Sequence, residues 1–184
     1  MNKLALALAV TGAVGLALPA TPATAAFESY EARATAMSAA AIARQHMEET
    51  FGVSSLKPGR FLWKDGAEAG GEDTRVVVGL GDQLAYLYRG GELIAVSTIS
   101  SGKEGTPTPT GIFPILEKKP MHRSRKYDNA PMPFMQRIDK YGIALHAGHL
   151  PGRPASHGCV RLPAKFAAKL FSVTDIGTTV LIGA

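Results

Sequence analysis

The sequence contains a single cysteine, Cys159, among 184 residues. One cysteine cannot form a disulfide within the chain, so small domains held together by disulfides are excluded. In an exported protein a lone cysteine is either a reactive free thiol or a bridge to another chain. The remaining alternative is a small buried hydrophobic side chain. The residues around it decide among these.

Long apolar runs are also scarce: only the stretch from Leu4 to about Ala20 is long enough to be considered as a membrane span or a signal peptide. It follows Lys3 and precedes the small residues Ala23-Thr24-Ala25, a pattern typical of a secretory signal peptide over residues 1–25. Glycine and proline inside the run weaken the alternative, a retained membrane anchor. The run is not followed by a cysteine that could carry a lipid. We therefore expect an exported protein with no stable membrane span after cleavage.

The charge balance is moderately basic, with a formal net charge of +5 and a pI near 9.4. A basic surface suits nucleic acid, anionic lipid or an acidic polymer. Export excludes nucleic acid as the expected partner. The length and the 46% hydrophobic content favour one folded domain with its own core.

The N-terminal part is rich in good helix formers from Phe27 to about Thr50, and Gly52 is expected to end that helix. Apolar residues recur there at helical spacing and are expected to pack inward: Tyr30, Ala34, Met37 and Ala41. A linker over residues 54–71, with one short strand at 60–63, is predicted to follow.

The next segment has the pattern of a β-meander. Three β-rich runs, over residues 74–80, 83–89 and 92–99, are joined by short glycine-containing connections. Further strands are predicted at residues 110–116, 141–145 and 178–182. Residues 118–137 carry several cations with little periodicity and are predicted to be an irregular functional segment.

The strongest motif is His146 followed by Ser156-His157-Gly158-Cys159-Val160-Arg161. Glycine and proline shape the intervening loop, and Pro163 is expected to begin a helix that runs to Phe171. That places Cys159 just ahead of a helix N-terminus, where the pKa of a thiol is lowered. Backbone N–H groups near Gly158 could converge into an oxyanion hole. A thiol, a base and such donors make an acyl-transfer site.

These residues resemble the L,D-transpeptidase catalytic domain, the YkuD-type family of bacterial cell-wall enzymes, whose signature is a His, a loop and then Ser/Thr-His-Gly-Cys. The Thr-Pro-rich passage after Gly102 is also similar to the family. The resemblance implies a mainly β, mixed β-sandwich-like fold over residues 74–184, preceded by an N-terminal helix and linker over 26–73. A short helix after the cysteine completes the expected fold.

The resemblance implies an exported, periplasmic cysteine acyltransferase acting on peptidoglycan stem peptides through a thioester, with no metal or organic cofactor. Its products would be 3→3 cross-links or proteins attached to the wall. Hydrolysis of the same bonds, as carboxypeptidase or endopeptidase, is the alternative. The predicted residues, by role, are Cys159 and His146 for catalysis; His157, Gly158 and Ser156 for the oxyanion hole and loop shape; and Arg161, Tyr127, Met132 and Phe134 for substrate binding.

Other interpretations use the same residues. His157 is the second candidate for the base, and the carbonyl of Ala147 is expected to orient His146. The set His146, His149, His157 and Cys159 could bind zinc, although neither a CxxC nor an HExxH pattern is present. A papain-like protease is excluded because its cysteine precedes its histidine. A non-catalytic wall-binding domain would leave the thiol unexplained.

Overall fold

The computed structural model describes residues 27–66 and 73–184. The predicted signal peptide, residues 1–25, lies outside the described residues. In the described part of the chain, no helix is both long enough and apolar enough to cross a membrane.

Two helices and ten strands make up the described fold. Helix α1 spans Tyr30–Phe51 and helix α2 spans Ala164–Val173. The strands, in chain order, are β1 (Phe61–Trp63), β2 (Thr74–Gly79), β3 (Leu84–Arg89), β4 (Glu92–Thr98), β5 (Gly111–Pro114), β6 (Glu117–Arg123), β7 (Pro131–Arg137), β8 (Ala144–Ala147), β9 (Val160–Leu162) and β10 (Thr179–Gly183).

The strands form two sheets. Sheet A has the order β1-β4-β3-β2-β10-β5, and its neighbouring strands are antiparallel except β2 and β10, which are parallel. Sheet B has the order β6-β7-β8-β9, with β8 and β9 parallel. The predicted meander is present as β2-β3-β4, and the prediction of a mainly β fold with two helices is confirmed.

Sheet A is buried on both faces. Along β2, Val76 and Val78 belong to the larger core, whereas Val77 belongs to a second core beneath α1. This follows from the alternation of side chains along a strand. The larger core also receives Leu145 from β8 and Phe166 from α2. Sheet B and α2 therefore share one hydrophobic core with sheet A, which gives the site a rigid foundation.

Helix α1 begins and ends where the sequence indicates, but it buries a different face. The Ser29 side chain accepts a hydrogen bond from the N–H of Ala32, and Gly52 ends the helix at a φ of 68°. The predicted inward stripe was wrong, because Tyr30 and Met37 are 87% and 54% exposed. The buried positions are Ala32, Ala36, Ala40, Ala43 and Met47.

Close approach of α1 to sheet A explains this alanine face. A Cβ atom placed on Gly183 of β10 would lie 2.5 Å from the carbonyl oxygen of Ala36. Only small residues allow a helix and a strand to pack this closely. Next to Gly183, the inward positions of α1 are therefore alanines, and the larger Met37 lies on the outer face, whereas Met47, further along the helix, is buried.

Residues 118–137 were predicted to be irregular, but they form the β6–β7 hairpin. The prolines of this segment hide the strand pattern, because proline cannot donate to a ladder and is confined to unpaired positions. Strand β8 pairs with β7 only at Gln136 and Arg137, so Pro131 and Pro133 face a partner on the β6 side alone. The hairpin therefore tolerates them.

Two boundaries near the motif also differ from prediction. The strand expected at residues 141–145 begins only at Ala144, and His146 lies inside it. Cys159 does not stand at a helix N-terminus, because β9 separates it from Pro163 and α2. Val160 and Leu162 are buried in the core, and the segment is a strand because it pairs with β8. The thiol is therefore positioned by the start of a buried strand.

Candidate active site

His146 and Cys159 are brought together by the parallel pairing of β8 with β9. Leu145 is opposite Val160, and His146 is opposite Arg161. Cys159 directly precedes Val160, so the alternation of side chains puts it on the same sheet face as Arg161 and His146. Thirteen positions apart in sequence, the two residues are diagonal neighbours across adjoining strands.

The His146 ring is held by its own strand. Its Nδ1 lies 2.8 Å from the carbonyl oxygen of Ala147, and a carbonyl can only accept, so Nδ1 carries the proton and Nε2 is the acceptor. The expectation that Ala147 orients this ring agrees with that contact. The side chain is only 7% exposed. Burial lowers the pKa of His146, the Ala147 carbonyl partly opposes this, and the positive charges of Arg161 and His122 add to the lowering.

The Cys159 thiol is half-buried and packs against an apolar cluster of Met132, Met135 and Ala144. Its Sγ lies 3.8 Å from the carbonyl oxygen of Gly142. Burial raises the pKa of the Cys159 thiol, the Asp139 carboxylate raises it further, and the Ala144 backbone and Arg161 oppose the shift. The predicted lowering of this pKa was wrong, because apolar burial replaces the expected helix N-terminus. Both pKa directions therefore favour the neutral form, a thiol at Cys159 and an uncharged imidazole at His146.

Ser156 shapes the turn that carries the thiol. Its side chain is 1% exposed, donates to the carbonyl of Cys159 at 2.5 Å and accepts from the N–H of Gly158 at 3.1 Å. The N–H of Gly158 is thus occupied by a hydrogen bond inside the turn. Gly158 has a φ of 112°, a region that glycine adopts far more readily than other residues.

Thr108 is a supporting residue to which the sequence interpretation gave no role. The buried Thr108 hydroxyl donates to the carbonyl of Gly158 at 2.8 Å and accepts from the N–H of Gly102 at 2.9 Å. The backbone carbonyl of Ser101 also holds this turn, because it accepts hydrogen bonds from the N–H groups of Ala155 and Ser156. The Thr-Pro-rich passage was recognisable in the sequence, but its contact with the cysteine turn depends on the tertiary fold.

His157 points away from the buried centre. It is exposed and stacks on the Tyr127 ring, with the two centroids 4.3 Å apart and an interplanar angle of 18°. The ammonium of Lys126 lies 5.5 Å from the centroid of the same tyrosine ring. The tip of the β6–β7 hairpin is thereby joined to the cysteine turn. This places Tyr127 beside the cysteine turn, and its role in substrate binding stays a prediction.

The other predicted substrate-binding residues occupy three different environments. Arg161 is half-buried, and its aliphatic stem covers Gly148 on the His146 side of the site. Met132 is 8% exposed and lies in the cluster that packs against Cys159. Phe134 packs against Phe171 of α2, with ring centroids 6.0 Å apart. Their roles in substrate binding stay predictions.

The zinc interpretation is not supported by the donor positions. In the described ranges, no three His, Cys, Asp or Glu side chains are grouped so that they could hold a metal ion. His149 and His157 are exposed, whereas His146 is buried. The four proposed donors therefore do not form a coordination sphere.

Comparisons with known proteins identify the family of the domain that carries these residues. The family model for the L,D-transpeptidase catalytic domain, YkuD, matches residues 73–182. A YkuD L,D-transpeptidase relative from Bacillus licheniformis is 29% identical over 114 residues, covering 59% of this chain and 64% of the relative. Because less than two thirds of that relative is spanned, the match describes the shared domain.

Solved structures share the fold. The L,D-transpeptidase from Stackebrandtia nassauensis has a TM-score of 0.56 and 28% identity, covering 64% of this chain and 58% of that one. A cysteine-to-serine mutant of the Enterococcus faecium L,D-transpeptidase has a TM-score of 0.52 and 28% identity, covering 60% and 50% of the two chains. With a family model covering more than half of its length, this chain belongs to the L,D-transpeptidase catalytic domain family.

Proposed function

We propose that this protein is an exported L,D-transpeptidase that acts on peptidoglycan stem peptides in the periplasm, with Cys159 as nucleophile and His146 as general base. The observation that carries the proposal is the placement of a thiol and an oriented imidazole on one face of the β8–β9 pair. Such a pair, with the base held by a third group, is the arrangement that covalent acyl transfer requires. The signal-peptide pattern of residues 1–25 supports export.

In the first half-reaction, Cys159 attacks the carbonyl carbon at the third residue of a tetrapeptide stem. Nε2 of His146 takes the thiol proton as the C–S bond forms. The bond to the terminal D-alanine then breaks, and the imidazolium returns the proton to the departing amine. A thioester between Cys159 and the donor stem remains.

In the second half-reaction, an acceptor amine attacks the thioester and gives its proton to His146. The Cys159 sulfur leaves and is reprotonated, which restores the neutral pair. A stem amine as acceptor gives a 3→3 cross-link, and an amine of a wall-attached protein gives anchoring. The residues that perform this chemistry supply a nucleophile and a base, so the proposed mechanism needs no metal or organic cofactor.

The electrostatics of the pair support proton transfer during attack rather than a pre-formed ion pair. The raised pKa of Cys159 and the lowered pKa of His146 both favour neutral forms. The base is therefore free to accept a proton at neutral pH. We assign the oxyanion to the N–H of Cys159, because the N–H of Gly158 already donates to Ser156.

Substrate contacts are assigned to the groups that border the thiol. Arg161 lies opposite His146 and presents a cation suited to a stem carboxylate. Tyr127 stacks on His157 of the cysteine turn, and the ammonium of Lys126 lies over the Tyr127 ring, so both residues lie next to that turn. Met132 belongs to the apolar cluster that packs against Cys159. Phe134 packs against Phe171 and so joins β7 of the hairpin to α2.

Product analysis on a defined disaccharide tetrapeptide tests the proposal. Mass spectrometry should detect a cross-linked dimer and free D-alanine, and neither should appear with the Cys159→Ser variant. Release of D-alanine without a dimer would identify a carboxypeptidase instead. Products that persist in the serine variant, or activity lost with a stoichiometric zinc ion on chelation, would refute the cysteine mechanism.

A further inference from the structure

The connection between β7 and β8 is held in shape by one carboxylate. Oδ1 of Asp139 accepts hydrogen bonds from the backbone N–H groups of Tyr141 at 2.9 Å and Ile143 at 2.8 Å. The guanidinium of Arg137 donates to the backbone carbonyl of Asp139 at 2.8 Å. Residues 139–143, which we call the carboxylate turn, thus have their backbone conformation fixed from the Asp139 end.

The inner side of the carboxylate turn contacts the nucleophile and its loop. The carbonyl oxygen of Gly142 lies 3.8 Å from Sγ of Cys159, where it can accept from the weak S–H donor. The side chain of Ile143 faces Gly158, since a Cβ placed there would lie 2.6 Å from its Cδ1 atom. Gly142 and Ile143 are thus the point where this turn meets the cysteine turn.

The outer side of the carboxylate turn has little packing to hold it. Tyr141 is 77% exposed and Lys140 is also exposed. Both residues border an open cleft of about 340 Å³, which Phe27 also lines. Ile143 is held on the inner side by packing on the larger core and by a 2.9 Å hydrogen bond from the N–H of Ile138 to its carbonyl. Because apolar packing does not fix the outer side, the hydrogen bonds of Asp139 hold the backbone there, from Tyr141 to Ile143.

We propose that Asp139 is a positioning residue for the nucleophile: its carboxylate folds the turn so that Gly142 and Ile143 hold the Cys159 thiol and the Gly158 backbone in the reactive arrangement. The inference rests on the proposed function only in naming Cys159 as the nucleophile. Asp139 itself does not touch the reacting atoms. Its effect is exerted through the carbonyl that contacts the thiol and through the side chain that contacts the loop.

The negative charge of Asp139 also acts on the pKa of the Cys159 thiol, an effect that an uncharged structural residue would not have. The charged groups that act on the thiol are Asp139 from the turn and Arg161 from β9, and they act in opposite directions. His146 on β8 faces the same site and has a lowered pKa. An asparagine at position 139 keeps the Oδ1 acceptor but removes the negative charge. The pKa of the Cys159 thiol should therefore fall in Asp139→Asn while the turn persists.

The test uses alkylation of the full chain by iodoacetamide, followed as a function of pH, together with turnover on the stem tetrapeptide. Cys159 is the sole cysteine, so alkylation reports on it directly. Asp139→Asn should retain most of the turnover, and its alkylation profile should move to lower pH. Asp139→Ala should lose turnover by about 10²-fold, the scale expected for a misplaced reacting group. Asp65→Asn, an exposed residue after β1, matches the charge change and should alter neither readout.

Several results would overturn the proposal. One is an alkylation profile of Asp139→Asn that matches the parent protein, and another is an Asp139→Ala variant with full turnover. Equal losses of turnover in both variants would show that charge, and not the hydrogen bonds, matters. If Asp139→Ala melts before assay, the asparagine variant decides alone. A parent protein that makes no product refutes the proposed function, while the alkylation profiles still decide the role of Asp139.

Discussion

His146 Nδ1 donates a 2.8 Å hydrogen bond to the carbonyl oxygen of the residue that follows it, Ala147. Because both residues lie within β8, the ring is oriented by the strand that carries it. The bond fixes the tautomer and leaves Nε2 as the acceptor. Burial keeps that acceptor unprotonated by lowering the pKa of the ring. We therefore expect the proposed base to be ready before the substrate arrives.

The first prediction concerns the pH dependence of turnover. Since burial penalises the imidazolium, the pKa of His146 in the folded protein is below its ordinary value of 6.5. We expect kcat/KM on the stem tetrapeptide to rise through an inflection below that value and then to level off. His146→Ala should lower turnover by about 10²–10⁴-fold and remove the inflection. An inflection that survives in His146→Ala would assign it to another group.

The second prediction separates His157 from the base. His157 is exposed and stacks on Tyr127, so its ring should act through shape. We expect His157→Phe, which keeps an aromatic ring but cannot take a proton, to retain most of the turnover. His157→Ala removes the stack and should raise KM more than it lowers kcat. If steady-state kinetics give losses for His157→Phe as large as those for His146→Ala, the two histidines must exchange roles.

The third prediction concerns the cysteine turn. Ser156→Ala removes a hydroxyl that serves two buried backbone groups, the N–H of Gly158 and the carbonyl of Cys159. Leaving such groups unsatisfied should lower the free energy of unfolding by about 1–3 kcal/mol. Ser172→Ala is the matched control, because Ser172 bonds to a backbone carbonyl on the exposed face of α2. Thermal or denaturant unfolding that gives equal, small changes for both variants would contradict the role of Ser156.

The sequence predicted those parts of the fold whose signals are local. Glycine-containing connections between β-rich runs located β2, β3 and β4 to within about one residue, and Ser156 to Arg161 identified the loop. The β6–β7 hairpin was missed because Pro131 and Pro133 interrupt the strand pattern, although pairing at their positions is one-sided. Which positions of β7 lack a second partner depends on how β6 and β8 pair with it, and this pairing cannot be read from the local sequence.

The misjudged face of α1 has a similar origin. Tyr30 and Met37 have large side chains, which favoured them as inward positions, yet near Gly183 the helix lies too close to the strand for a large side chain to fit between them. The same holds for the pKa of Cys159, which the motif suggested would be lowered. Burial against Met132 and Ala144 raises the pKa instead, and β9 separates Cys159 from the helix that was expected to lower it. The buried face of α1 and the pKa of Cys159 both depend on tertiary packing, which the local sequence does not show.

The central claim is that Cys159 carries the donor stem as a thioester, and intact-mass measurement of the protein tests it most directly. After mixing with the stem tetrapeptide and no acceptor, the protein should gain the mass of the donor minus D-alanine. Peptide mapping should place that mass on Cys159, and His146→Ala should accumulate it far more slowly. Cross-linked product formed without any such adduct, or an adduct retained in the Cys159→Ala variant, would contradict the account.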